Sequence, residues 1–207
     1  IMKKKFLSLM MAAAVVATTS VSAFAEDTII NNDGDTAEVT ISGAVNGAND
    51  ATPSGTLNVT VPTALSFAVK NNGTVQGSEI KVVNNGVQAI NVYAYEFADT
   101  TVGDKITVHK KTENLSGKKK SDVILHLKGN RGTAYFNSED ISGENKGVYK
   151  ADGDKPSGTD GLLISNILKG KSDSLYLEGE AGSENLTENA QEGISDTFTL
   201  RLKIKKA

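Results

Sequence analysis

Hydrophobic side chains recur at every second position along most of this chain, and a period of two admits strands and excludes helices. The clearest case is 197–204, where Phe198, Leu200, Leu202 and Ile204 fall on one face and Thr199, Arg201 and Lys203 on the other. Leu57, Val59 and Val61 repeat the pattern, as do Leu65, Phe67 and Val69. Further strand-like segments are 37–41, 80–83, 89–97, 105–108, 122–127, 133–136, 162–164 and 175–177. Asn- and Gly-rich turns separate them at 71–73, 84–86, 129–132 and 152–154. No segment keeps an apolar helical period for the 10 to 12 residues, roughly, that a helix needs. Pro62 cannot donate to a ladder and predicts that its strand ends or bulges there. Many short strands with polar turns imply an all-β chain, an antiparallel β-sandwich of Ig-like or jelly-roll-like type with about nine or ten strands. The predicted core is Leu57, Val59, Val61, Leu65, Phe67, Val69, Val82, Val92, Leu125, Phe198, Leu200 and Leu202.

The beginning of the chain reads differently. Lys3, Lys4 and Lys5 precede an apolar run over 6–17, and Ala23-Phe24-Ala25 forms a small-residue cleavage site. Residues 1–25 are therefore expected to be a secretory signal peptide, with a mature chain starting at Glu26. Ile1, ahead of Met2, has no physical role in this reading. Residues 26–54, rich in Asn, Asp, Gly and Thr, read as an N-terminal arm with one strand and a linker, and 55–207 as the sandwich domain. That strand is expected either to fold back on its own sandwich or to complete a neighbour's sheet. Two further stretches, 138–161 and 179–193, read as loose surface loops.

Charge and cysteine content narrow the function. The whole chain carries a formal charge of −3, which becomes −6 once the three signal lysines are removed. Apart from Lys118-Lys119-Lys120 there is no basic block, which argues against nucleic acid as a partner. There is no Cys, so no disulfide framework exists. After the signal no apolar run is long enough to span a bilayer as a helix, and the mature chain is expected not to be membrane-spanning. No sortase signal closes the sequence.

Candidate chemistry is sparse. His109 and His126 are the two histidines, and a hairpin over 113–120 would bring them near each other. Zinc wants a third protein ligand, so the pair reads as surface decoration on polar strand faces. The acidic turns Asn31-Asn32-Asp33-Gly34-Asp35 and Asp152-Gly153-Asp154 offer oxygens without the spacing of a calcium loop. Gly170-Lys171-Ser172 resembles the end of a phosphate loop, but Ser165 stands where that loop needs Gly. Nucleophile-elbow and zinc-protease motifs are absent. Tyr93 and Tyr95 share a parity with Phe97 and read as core, leaving Tyr135, Tyr149 and Tyr176 as the exposed rings. No catalytic, cofactor-binding or metal-binding residue is assigned, and no cofactor.

The stretch 55–69, with its Val61-Pro62-Thr63-Ala64-Leu65-Ser66-Phe67-Ala68-Val69, followed by 80–86 and Ile90-Asn91-Val92, resembles secreted surface proteins of Firmicutes. The pattern is similar to WxL-type cell-wall-binding proteins and to camelysin-like subunits of biofilm-matrix fibres. It covers about 55–97 and the closing strand 196–206. The chain has no Trp, so no wall-binding residue carries over. The resemblance implies a secreted, cell-surface structural or adhesive protein without catalytic activity. Its partners would be a cell-wall or matrix polymer, or copies of itself. The alternative is an extracellular glycan- or calcium-binding module.

Overall fold

The computed structural model describes residues 28–30, 36–40, 57–70, 72–100, 106–185 and 194–207. The expected signal peptide and its cleavage site lie outside them. In chain order the strands are β1 (Thr28–Ile30), β2 (Thr36–Thr40), β3 (Val59–Val61), β4 (Phe67–Val69), β5 (Thr74–Asn84), β6 (Ile90–Asp99) and β7 (Thr107–Val108). They continue with β8 (Asp122–Lys128), β9 (Thr133–Phe136), β10 (Val148–Tyr149), β11 (Leu162–Ile167), β12 (Ser172–Ala181) and β13 (Phe198–Lys206). Among the described residues there is no helix.

Two sheets form a sandwich. The larger runs β1-β3-β5-β12-β8-β9-β10, with β4 also paired to β5 and β7 to β8; the smaller runs β11-β6-β13-β2. All pairings are antiparallel except β7 with β8. The all-β sandwich expected from the alternation is the fold observed. The thirteen described strands exceed nine or ten because β1 and β10 are too short to show a hydrophobic period and because β2, expected in the arm, joins the smaller sheet. As Pro62 predicts, β3 ends at Val61.

The two sheets share one core. Phe97 of β6 stacks on Phe136 of β9 at 4.6 Å between ring centroids and on Phe198 of β13 at 5.3 Å, and Phe198 meets Phe67 of β4 at 6.3 Å. These rings pass back and forth between the sheets, and each offset pair adds about 1 kcal/mol beyond its buried area. Of the twelve expected core residues, Phe67 and Val69 are partly buried against this cluster and the rest are buried.

Tyr93 and Tyr95 correct the sequence reading. The register between β13 and β6 steps from Arg201 opposite Glu96 to Leu202 opposite Ala94, leaving Tyr95 as an extra residue. A bulge reverses the alternation that follows it. Phe97 is therefore buried while Tyr93 and Tyr95 are half-buried on the outer face, with Lys203 Nζ 4.9 Å from the Tyr95 ring centre.

Candidate functional site

Strand order brings short loops to one end of the sandwich and long loops to the other. Residues 85–89 and 168–171 each cross between the sheets at the first end, beside the 129–132 turn that joins β8 to β9. Asn84 is fully buried there and binds both crossings. Its Nδ2 donates to Gln88 O at 2.7 Å and Ile167 O at 3.1 Å, and its Oδ1 accepts from Gly86 N at 3.0 Å. Asn130 Nδ2 donates to Asn166 O, Asn166 N donates back to Asn130 Oδ1, and Asn166 Nδ2 donates to Asn91 Oδ1. Four segments are thus tied together by neutral amides.

The opposite end is tied by carboxylates. Residues 137–160 are a built loop in place of the loose one expected. Asp140 Oδ2 accepts from Gly147 N at 2.8 Å and Tyr149 OH at 2.9 Å, and pairs with Lys155 Nζ at 2.9 Å. Burial would push the Asp140 carboxyl up, but the Lys155, Gly147 and Tyr149 hydrogen bonds together hold it below the usual carboxylate range. Burial, then Asp140, push the Tyr149 phenol up to about 12. Gly147, at φ 67°, sits where a side-chain carbon would strike the Phe97 carbonyl, so the loop lies directly on β6. Asn145, buried at φ 52°, anchors the far limb through Nδ2 to Gly158 O at 2.7 Å.

His109 is buried, contrary to the expectation of surface decoration. Its Nε2 lies 2.7 Å from Asp122 Oδ1. Glu113 Oε2 is 3.0 Å from Nδ1, an ion-pair distance without hydrogen-bond geometry. The expected hairpin is absent because β7 runs parallel to β8, placing His109 beside Asp122 and away from His126. His126 lies on the outer face of the larger sheet, its ring 5.0 Å from that of Tyr135 and its Nε2 3.3 Å from Glu178 Oε2. Burial lowers its pKa more than Glu178 raises it, and the cations of Lys111 and Lys128 act in the same direction as burial. The partners of both imidazoles are carboxylates, a lysine and a tyrosine ring, so neither is placed to activate a serine.

The other sequence candidates are as follows. Asp33 and Asp35 lie outside the described residues. Asp152 and Asp154 form a turn around Gly153 (φ 90°), with Lys150 Nζ 3.3 Å and 3.7 Å from their carboxylates. Gly170-Lys171-Ser172 is the turn into β12. Among the described residues no three His, Asp or Glu side chains gather to hold a metal. Tyr176 is exposed, as expected, but Tyr149 is buried and Tyr135 is covered by His126 and by Lys111 Nζ, 4.8 Å from its centre. The bulge aims Glu96 outward to Arg201 Nη1 at 2.8 Å and Lys146 Nζ at 3.8 Å, beside a shallow recess of about 200 Å³.

The N-terminal strands span both sheets. β1 pairs with β3, and β2 lies along Thr199–Lys203 of β13, closing the smaller sheet. Sequence reasoning found β2 from its alternation and missed β1. It read Asn84 as part of a turn and did not single out Asp140. An Asn or Asp placed where a strand meets a Gly-rich loop is the signal shared by both. Compared with known proteins, the chain matches no family model, no curated protein and no solved structure.

Proposed function

We propose that this chain is a secreted, surface-associated structural or adhesive protein of the bacterial envelope, without catalytic activity, and that its copies assemble by exchanging the N-terminal strand β2. The observation that carries this reading is the position of β2. It forms one edge of the smaller sheet, and residues 41–56 separate it from the next described strand region. Fully extended, that connection reaches roughly 50 Å, which is enough for β2, together with β1 just before it, to lie on β13 and β3 of an adjacent copy in the same register. Strand addition of this kind takes its affinity from main-chain hydrogen bonds and its register from alternate side chains. Departure of β2 leaves the N–H and C=O groups of β13 open on that side, where the β2 of the next copy fits in register.

Light scattering and electron microscopy test the reading. The intact chain is expected to form oligomers or fibres that grow with salt, as screening relieves repulsion between acidic copies. Deleting residues 26–42 should leave a monomer, and Val39→Pro, which interrupts the ladder of β2, should do the same while retaining the rest of the sandwich. An intact protein that remains monomeric at high concentration and high salt overturns it.

A further inference from the structure

We propose that the amide-tied end of the sandwich, carrying 85–89, 129–132 and 168–171, is a docking surface for a bilayer containing anionic lipid. The first observation is charge. Lys128, Arg131, Lys169 and Lys171 lie at this end, and among the described residues none makes an ion pair. Elsewhere Lys118, Lys146, Lys150, Lys155, Lys203 and Arg201 each lie within 4.0 Å of a carboxylate, while Lys110 and Lys111 lie over tyrosine rings and Lys120 donates to Asn185, so what distinguishes this end is four cations gathered beside exposed aliphatic side chains. The carboxylate among these loops is Asp173, and it already accepts from Ser165 Oγ at 2.6 Å and Asn130 N at 3.3 Å. A chain with an acidic total therefore presents an end whose cations are left to an external anion.

The second observation is independent of charge. Among the described residues four large hydrophobic side chains are well exposed: Val87 at 50%, Ile141 at 74%, Leu168 at 61% and Tyr176 at 45%. Val87 and Leu168 sit in the two neighbouring loops that Asn84 binds together, and Tyr176 stands opposite Lys128 in the strand register. A hydrophilic polyanion gives these side chains nothing to bury. The interface of a bilayer takes aliphatic tips at the level of the acyl boundary and lysines at the level of the phosphates. Asn84, Asn130 and Asn166 hold the loops in place beforehand, so little ordering remains to oppose binding.

The proposal stands whether or not β2 exchanges between copies. Its test is sedimentation of the intact chain with vesicles of phosphatidylcholine alone or with about one third phosphatidylglycerol. The chain used begins at Glu26, so the apolar run over 6–17 contributes nothing to the lipid binding that is read. At about 0.05 M NaCl the intact chain is expected to favour the anionic vesicles, and about 0.5 M should abolish the preference. Each surface cation contributes about fivefold, so K169E/K171E should weaken binding at least about tenfold. Leu168→Ser should weaken it about threefold. K118E/K119E, at the opposite end, should change it less than about twofold. Unchanged thermal midpoints show that the variants are folded. Binding by K169E/K171E equal to that of the intact chain overturns the proposal. It is also overturned if soluble poly(glycerol phosphate) binds as tightly as the vesicles and Leu168→Ser has no effect, which assigns the end to a polyanion instead.

Discussion

At one end of this sandwich the loops are joined through the side-chain amides of Asn84, Asn130 and Asn166; at the other they are joined through carboxylates, chiefly Asp140 and the pair around His109. The two solutions differ in what they leave over. An amide offers both donors and an acceptor, needs no counter-charge and does not titrate. The amide end can therefore fix its loops while Lys169 and Lys171 stay unpaired. A carboxylate fixes its loop by drawing in a cation such as Lys155, so that loop spends its own cation and inherits a dependence on pH. A rigid loop and an available charge are compatible when the rigidity comes from neutral groups.

The comparison can be broken first at Asn84. Asn84→Ala leaves the Gln88 and Ile167 carbonyls without their donor and should cost about 2–4 kcal/mol by urea denaturation. The loss should be equal at pH 7 and pH 4; a loss that shrinks with acid would mean that the amide end also depends on ionised groups. Next comes Asp140→Asn, expected to cost about 1–2 kcal/mol at neutral pH. The folded pKa of Asp140 lies below its unfolded value, so its contribution is full above the unfolded value and disappears as pH falls through the folded one. The gap between variant and intact chain should accordingly close in acid; a gap of constant size would contradict the carboxylate account. The smallest effect belongs to Tyr149→Phe, about 1 kcal/mol. Its phenol is favoured neutral in the fold, with a pKa pushed up to about 12. Its contribution is therefore whole below pH 10 or so and lost as pH rises towards that value. Ultraviolet titration should show a late-ionising phenol in the intact chain whose signal is lost in the variant.

Strand type and core were legible because alternation is a local property: Phe198, Leu200, Leu202 and Ile204 are buried just as their spacing predicts. Tyr95 was not, since a bulge is fixed by pairing with β13 and leaves no mark on the sequence of β6 itself. His109 was misplaced for a related reason. Its polar neighbours Lys105 and Thr107 suggested a solvent face, while its burial follows from the parallel pairing of β7 with β8 and the carboxylates of Glu113 and Asp122. The candidate surfaces were the least legible part. Lys128, Arg131, Lys169 and Lys171 are scattered along the chain, and topology alone collects them.

The place of β13 also governs the order in which the molecule can be made. It follows every other described strand in the chain, yet it occupies the interior of the smaller sheet, between β6 and β2. While the chain is being synthesised, β6 can acquire its β11 neighbour but the other side of the sheet stays open until residues 198–206 are available. The N-terminal strand must wait longest, for its partner arrives last. Pairings this distant in sequence fold on a timescale of milliseconds to seconds, so the newborn chain spends its early life unclosed, and a product truncated before residue 198 should keep at most the β6–β11 pair of the smaller sheet.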